Sequence, residues 1–198
     1  MKNLTELIII IDKSGSMHGL EKDVIGGFNA LIDEQKKEGE TKVTTIFFND
    51  RVDFIHEEID IKEVKPLDGR QYQTQGCTAL LDAIGDAISL VKARHAKLKE
   101  DELPEHTIFS IMTDGMENAS REYTYKRIKE MINLQKKCGW EFMFQAANID
   151  TAFEADRLGI DEDKAMSFIA TNEGVNKMMM KVCASISDVR QKPNKKNK

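Results

Sequence analysis

The sequence predicts an α/β fold of the doubly wound, three-layer type. We expect a mostly parallel central sheet of about six strands, with one antiparallel edge strand and helices on both faces. Two observations support this prediction. Strand and helix patterns alternate along the chain, with no low-complexity linker and no internal repeat between them. Several strand patterns are apolar at consecutive positions, which is typical of strands buried on both faces of a parallel sheet.

The strand patterns are short apolar runs bounded by polar or turn residues. The first run, LIIIID, is apolar on both faces, whereas the third alternates Val52 and Phe54 with polar residues after the turn pair Asn49 and Asp50. This alternation predicts a half-exposed, antiparallel edge strand. The six predicted strands cover residues 7–12, 42–48, 51–59, 106–114, 140–147 and 165–170.

Helical patterns separate the strands, with apolar residues recurring every three or four positions. The predicted helices cover 19–37, 80–98, a segment from the capping residue Ser120 to about Cys138, 151–158, and a closing segment with an apolar stripe from Val175 to Val189. Gly26 and Gly27 are poor helix formers within the first helix. They indicate a close approach of this helix to the sheet or a slight bend.

A chain of 198 residues suits one domain, which we expect to cover residues 1–190. Residues 191–198 are basic, and Pro193 prevents a helix from continuing, so we expect a disordered, solubilising C-terminal tail. Within the domain, residues 63–77 contain Pro66, Gly69 and Gly76 and predict a long surface loop. Loops of this length are often functional.

Composition and charge argue against several classes of function. The formal net charge of -5 gives no support to nucleic-acid binding by the body of the domain. No stretch approaches the roughly 18 to 20 apolar residues of a membrane helix, and no cleavage signal follows the first apolar run. Cys77, Cys138 and Cys183 form no C-x-x-C pattern, so they predict reduced thiols in a cytoplasmic protein. We expect Cys77 to be a small buried side chain.

Five oxygen-bearing side chains are candidates for a metal site. Asp12, Ser14 and Ser16 alternate after the first strand, Thr78 lies where the long loop becomes a helix, and Asp114 ends another strand. In doubly wound sheets, ligands bind beyond the carboxyl ends of the strands where the strand order reverses, so we expect the two aspartates to share one crevice. Oxygen ligands with only two carboxylates suit a hard cation of the magnesium type.

The motifs around these residues resemble those of von Willebrand factor type A domains. D-K-S-G-S after an apolar strand, G-C-T-A-L-L-D-A-I entering a helix and T-D-G-M-E-N after a second strand are similar to the three parts of that family's metal-ion-dependent adhesion site. G-G-F-N in the first helix and A-A-N-I-D after the fifth strand are similar to bacterial and phage intracellular members. The resemblance covers the chain from Leu4 to about Arg190.

The resemblance implies a role for each candidate residue. Ser14 and Ser16 would bind the metal directly, and Thr78 would bind it directly or through water. Asp12 and Asp114 would mainly accept hydrogen bonds from bound waters and hydroxyls. The metal would be Mg²⁺, with Mn²⁺ or Ca²⁺ as substitutes, and an exposed aspartate or glutamate of a partner protein would complete its coordination. The resemblance thus implies a binding module rather than an enzyme.

Two alternative functions stay open at this point. An aspartate at the end of the first strand is also the nucleophile of magnesium-dependent phosphotransferases of the haloacid-dehalogenase type. That chemistry requires a second acid two residues later, where this chain has Ser14. The other alternative is a scaffold in which the metal only stabilises the fold.

Overall fold

The computed structural model describes residues 4–192 of the chain. Six strands form one sheet in the order β3-β2-β1-β4-β5-β6. Every neighbouring pair is parallel except β2 and β3, which are antiparallel, so the predicted sheet and its antiparallel edge strand are confirmed. The strands are β1 (Thr5–Asp12), β2 (Thr41–Phe48), β3 (Val52–Asp60), β4 (His106–Thr113), β5 (Trp140–Ala146) and β6 (Ala165–Ser167).

Five α-helices cover the two faces of the sheet, as predicted. They are α1 (Glu21–Gln35), α2 (Leu80–His95), α3 (Tyr125–Lys137), α4 (Thr151–Leu158) and α5 (Asn172–Arg190). One apolar core contains residues of α1 and α5, and a second core contains residues of α2, α3 and α4. The sheet therefore separates two hydrophobic cores, each lined by one face of its strands.

Strand β1 is the centre of both cores. All eight of its residues are buried. Leu7, Ile9 and Ile11 belong to the core under α1 and α5, whereas Ile8 and Ile10 belong to the other. Successive side chains of a strand point to opposite faces, so a run of consecutive apolar residues is what this central position requires.

The strand order reverses next to β1, which fixes the position of the predicted site. The chain passes from β1 to β2 on one side and returns to β4 on the other. In the register, Asp12 pairs with Phe48 of β2, and Ile11 pairs with Met112 of β4. The carboxyl ends of β1 and β4 therefore lie side by side, and Asp12 and Asp114 extend from the same edge.

Several predicted element boundaries differ from the structure, including the end of α2 at His95 rather than residue 98, and two of the differences have an identifiable cause. Helix α3 begins at Tyr125 and is capped by Thr124, whose hydroxyl accepts a hydrogen bond from the amide of Arg127, so Ser120 does not cap it. Strand β6 ends at Ser167, although the sequence predicted a strand as far as residue 170. Phe168 is buried in the core and Ile169 is exposed, so the apolar pattern continues after the strand has ended.

The two glycines of α1 serve helix packing rather than contact with the sheet. A Cβ atom on Gly27 would lie 2.6 Å from Cγ of Met179 in α5, whereas a Cβ on Gly26 would meet nothing within 4 Å. The close approach expected from these glycines therefore exists only at Gly27, and it joins α1 to α5.

Only the first two residues of the predicted C-terminal tail belong to the described part of the chain. Of the predicted basic tail, Gln191 and Lys192 follow the end of α5, and residues 193–198 lie outside the described residues. Among residues 4–192, no helix combines the length and hydropathy needed to cross a membrane.

The two glycines provide a matched pair of stability measurements. We expect Gly26→Ala to raise the free energy of unfolding by about 0.5 to 1 kcal/mol, because alanine is the better helix former and the space is open. Gly27→Ala should lower it by about 1 to 2 kcal/mol, because the added methyl group displaces Met179. Urea denaturation of both variants measures the difference, and equal effects of the two substitutions would contradict the packing described for Gly27.

Candidate metal centre

The candidate site begins with Asp12, the last residue of β1. Its side chain is fully buried. Oδ1 accepts a hydrogen bond of 2.7 Å from the backbone amide of Ser14, and Oδ2 accepts one of 2.6 Å from the hydroxyl of Thr113. The first bond folds the chain into a turn directly after the strand, and the second ties β1 to β4. Both carboxylate oxygens are thus held in fixed positions.

The turn places two serine hydroxyls beside Asp114. Ser14 Oγ lies 3.0 Å from Ser16 Oγ, and Ser16 Oγ donates a hydrogen bond of 2.5 Å to Oδ1 of Asp114. Ser14 and Asp114 are buried, whereas Ser16 is exposed in the short 3-10 helix Gly15–Met17. The residues predicted from the alternating D-x-S-x-S pattern therefore converge with Asp114, and Ser16 lies at the mouth of the site.

Thr78 reaches the same place from the start of α2. A Cβ atom on Gly115 would lie 3.2 Å from Ser16 Oγ and 3.7 Å from Thr78 Oγ1, so both hydroxyls face the small space beside this glycine. The side chain of Asn118 accepts a hydrogen bond of 2.9 Å from the Thr78 amide, and the Asn118 amide donates one of 3.0 Å to the Thr78 carbonyl. The structure thus brings all five predicted residues together.

The loop after β4 clamps the beginning of α2. Glu117 accepts a hydrogen bond of 3.0 Å from the Leu81 amide, and Ser120 Oγ accepts one of 3.0 Å from the Asp82 amide. Asp82 in turn accepts bonds from the amides of residues 121–123. Ser120 is therefore a capping residue, but of α2 rather than α3. The sequence alone did not predict that Glu117, Asn118 and Ser120 position the start of α2. The signal that could have indicated the first two is the acidic and amide pair, E-N, in the T-D-G-M-E-N motif.

The long loop that precedes α2 is fixed to the turn through Ser14 and Ser16. Tyr72 is 1% exposed, packs on Phe47 at 5.2 Å between ring centroids, and donates a hydrogen bond of 2.5 Å to the backbone carbonyl of Asp12. Burial raises the pKa of the Tyr72 hydroxyl well above its usual range, so the hydroxyl keeps its proton as a donor. Two backbone bonds continue the contact, from Gln75 to Lys13 and from Gly15 to Gly76.

Cys77 lies on the rim of the site, and the expectation that it is buried is wrong. Its thiol is free and the residue is exposed. The amide of Cys77 donates a hydrogen bond of 2.8 Å to Oδ1 of Asp50. Gly76 beside it has φ +79, and a Cβ there would collide with the Asp50 carboxylate. The turn therefore excludes a side chain at Gly76 and directs the Cys77 side chain toward solvent.

Burial sets the protonation of both carboxyl groups. It raises the pKa of Asp12 to about 6, and the charge of Asp114 adds to this, although hydrogen bonds from Thr113 and Ser14 oppose the shift. Burial also raises the pKa of Asp114, against the hydrogen bond from Ser16. A cation between these groups would favour their ionised forms and reverse both shifts.

The donor set fits a small, hard divalent cation. Adjacent ligands of an octahedral ion with bonds of about 2.1 Å lie about 3 Å apart, which is the separation of the Ser14 and Ser16 oxygens. The candidate ligands are hydroxyl and carboxylate oxygens. Among residues 4–192, no group of three or more His, Cys, Asp or Glu side chains is arranged to hold a metal.

Comparison with solved structures identifies the fold as that of von Willebrand factor type A domains. The von Willebrand factor domain of the pili tip protein Mfa5 from Porphyromonas gingivalis aligns with 96% of this chain and 97% of its own, at 9% identity and a TM-score of 0.65. Manganese-loaded TRAP protein of Plasmodium vivax aligns with 91% of this chain and 73% of its own, at 17% identity and a TM-score of 0.61.

A third similar structure is proximal thread matrix protein 1 from the mussel byssus, with a zinc-occupied metal-ion-dependent adhesion site (MIDAS) motif. It aligns with 92% of this chain at 16% identity and a TM-score of 0.61, and the chain spans 46% of the mussel protein's length. No family model and no curated protein matches the sequence. At identities of 9 to 17%, these similarities establish the fold.

The raised pKa of Asp12 predicts a pH-dependent stability in the presence of a chelator. The folded protein binds this proton more tightly than the unfolded chain, whose pKa is 3.8. Protonation of Asp12 therefore adds up to about 3 kcal/mol to the free energy of unfolding. This contribution is fully present below about pH 4 and is lost as the pH rises through about 6. Asp12→Asn should lack this decline, and saturating Mg²⁺ should remove it from the wild type.

Urea denaturation at a series of pH values measures the difference between wild type and Asp12→Asn. The difference isolates Asp12 because other titrating groups are common to both proteins. Parallel profiles for the two proteins in chelator would show that Asp12 is not an ionisable group with a raised pKa in the metal-free fold.

Proposed function

We propose that this protein is a divalent-metal-dependent protein–protein interaction module. Ser14, Ser16 and Thr78 would hold Mg²⁺, with Mn²⁺ or Ca²⁺ as substitutes, at the carboxyl edge of the sheet. An exposed aspartate or glutamate of a partner protein would complete the coordination. The observation that carries this proposal is the convergence of three hydroxyls and two carboxylates from three separate segments at one end of β1 and β4.

The charges at the site explain why a partner carboxylate would bind. Asp12 already accepts two hydrogen bonds from the protein, and Asp114 accepts one from Ser16. Asp12 would therefore hold the turn that carries the serines, and Asp114 would orient the Ser16 hydroxyl and metal-bound water, while the neutral hydroxyls would contact the ion. A dication that is bound mainly through neutral ligands remains electrophilic. An anion from outside the protein is then the ligand with the strongest attraction to the open position.

Two of the similar structures are metal-bound, which supports the proposal of a divalent metal in this fold. The mussel protein is described with a zinc-occupied MIDAS motif and the Plasmodium protein as manganese-loaded. The three motifs of this sequence lie at the carboxyl ends of β1 and β4 and at the start of α2. We further propose a cytoplasmic module of the bacterial or phage type, in line with the three free cysteines of the chain.

A phosphotransferase function has less support from the same geometry. A nucleophilic aspartate needs a carboxylate oxygen that can approach a phosphorus atom. The Asp12 side chain is fully buried, and each of its oxygens accepts a hydrogen bond from a neighbouring residue. Two residues later, where the leaving group would need an acid, Ser14 contributes a hydroxyl that contacts Ser16. We therefore propose a binding protein rather than an enzyme.

The test combines a metal measurement with partner capture. Ser14→Ala should lower the affinity for Mn²⁺, read from the EPR signal of free Mn²⁺, by at least roughly tenfold, because one direct ligand is lost. The same variant should lose proteins that wild type captures from a native lysate in Mg²⁺ and releases in chelator. Ser185→Ala is the matched control, because Ser185 lies on α5 away from the site.

Two outcomes distinguish the proposal from its alternatives. If Ser14→Ala weakens Mn²⁺ binding but captures the same proteins as wild type, with or without chelator, the metal is structural and the protein is a scaffold. If Ser14→Ala binds Mn²⁺ as well as Ser185→Ala does, the hydroxyls are not ligands and the proposed site is wrong.

A further inference from the structure

The turn between β2 and β3 is bonded to both neighbours of Thr78. This turn begins with Asn49 and Asp50, directly after the carboxyl end of β2, the strand that pairs with β1. Oδ1 of Asp50 accepts a hydrogen bond of 2.8 Å from the Cys77 amide. The Asn49 carbonyl accepts one of 2.9 Å from the Ala79 amide. The residues before and after Thr78 are therefore fixed to one turn, which we call the β2–β3 turn.

The side chain of Asn49 adds a third bond to the same segment. Asn49 is buried, with 6% of its surface exposed. Its Nδ2 donates a hydrogen bond of 3.0 Å to the Gln75 carbonyl, and its Oδ1 accepts one of 3.0 Å from the Arg51 amide. These two bonds require one donor and one acceptor on the same short side chain, which an amide provides and a carboxylate does not. Asn49 therefore shapes the β2–β3 turn and joins it to the end of the long loop.

The segment 75–79 is bonded on its other side to the turn that carries the two serines. The Gln75 amide donates a hydrogen bond of 2.9 Å to the Lys13 carbonyl, and the Gly15 amide donates one of 3.0 Å to the Gly76 carbonyl. The segment thus lies between the serine turn and the β2–β3 turn. The distance from the threonine hydroxyl to the serine hydroxyls therefore depends on the bonds at both sides of this segment.

The serine turn is itself attached to β2 and β3. The Lys13 amide donates a hydrogen bond of 2.7 Å to the Phe48 carbonyl at the end of β2. The Lys13 ammonium group forms an ion pair of 2.6 Å with Asp53 of β3. Both segments that carry candidate hydroxyl ligands are therefore referenced to the same pair of strands, on either side of the β2–β3 turn.

Asp50 has no part in the hydrophobic cores. It is exposed and lies outside both clusters of buried apolar residues. A Cβ atom on Gly76 would lie 2.3 Å from Oδ2 of Asp50, so the carboxylate packs directly on the backbone at this glycine. Together with the bond to the Cys77 amide, this contact ties Asp50 to the residues just before Thr78. The side chain thus acts on the loop and not on the packing of the fold.

We propose that Asn49 and Asp50 are positioning residues of the metal centre, which set the distance between the Thr78 hydroxyl and the serine hydroxyls. This inference rests on the proposed metal-dependent function. Neither side chain contacts the ion, and both act through the backbone of residues 75–79. A small octahedral ion demands nearly ideal geometry from its ligands. A threonine that is no longer held at the right distance therefore binds the ion less well, although it is still present.

The affinity for Mn²⁺, read from the EPR signal of free Mn²⁺, tests the role of Asp50. Asp50→Ala should lower this affinity roughly fivefold, because the Cys77 amide loses its hydrogen bond. Asp50→Asn keeps an oxygen acceptor of the same size and should stay within about twofold of the wild type. Asp33→Ala, which removes an exposed carboxylate from α1, is the matched control and should bind Mn²⁺ like the wild type.

A double-mutant cycle with Thr78→Ala shows whether Asp50 acts through the threonine. In the Thr78→Ala protein, Asp50→Ala should lower the Mn²⁺ affinity by less than about twofold, because the side chain that it positions is already absent. Hydrogen exchange of the Cys77 amide in chelator should be faster in Asp50→Ala than in Asp50→Asn, which reports the lost bond directly. Thermal unfolding in chelator shows that each variant is folded, as the exposed position of Asp50 leads us to expect.

The outcomes separate this inference from the function on which it rests. The inference is wrong if Asp50→Ala binds Mn²⁺ like the wild type, or if Asp50→Asn is weakened as much as Asp50→Ala. It is also wrong if the losses of Asp50→Ala and Thr78→Ala add fully, or if Thr78→Ala alone loses no affinity. In each of these cases a loss in Ser14→Ala would still support the metal site. If neither Ser14→Ala nor Thr78→Ala differs from Asp33→Ala, the metal-dependent function itself is wrong.

Discussion

The hydrogen bond from Thr113 to Asp12 is the contact on which the site depends. It joins the carboxyl ends of β1 and β4, the two strands between which the order of the sheet reverses. Because β1 is buried on both faces, its position is set by two hydrophobic cores rather than by any loop. Asp12 is therefore placed by the most stable part of the fold, and the turn through Ser14 and Ser16 is built on it.

Three loops surround this fixed point, and each is held by specific hydrogen bonds. Tyr72 secures the long loop to the Asp12 carbonyl, Asn118 holds both backbone groups of Thr78, and Glu117 and Ser120 complete the first turn of α2. Loops that are fixed in this way can hold hydroxyl ligands at the spacing a small ion requires, since little ordering remains to be done on binding.

Local patterns predicted most of the fold and the five side chains that converge at the candidate site. The apolar run before Asp12 identified the central strand, and the alternation of Val52 and Phe54 identified the antiparallel edge. What escaped the sequence were contacts between distant residues. Tyr72 and Asp12 are 60 positions apart, and Asp82 and Ser120 are 38 apart, so neither hydrogen bond leaves a local signal. The sequence predicts Ser120 as the cap of the following helix, α3, whereas its hydroxyl accepts a hydrogen bond from the Asp82 amide of α2. The role of Gly27 likewise required its contact with Met179 of α5.

In the proposed site, the serine hydroxyls would hold the ion and Asp12 would hold the turn that carries them. Anomalous scattering from crystals grown with Mn²⁺ near pH 7 tests it most directly. We expect one strong peak about 2.2 Å from both Ser14 Oγ and Ser16 Oγ, with the Asp12 carboxylate farther away and still bonded to the Ser14 amide and the Thr113 hydroxyl. A peak bound directly to the Asp12 carboxylate, with the serine hydroxyls beyond bonding distance, would contradict it.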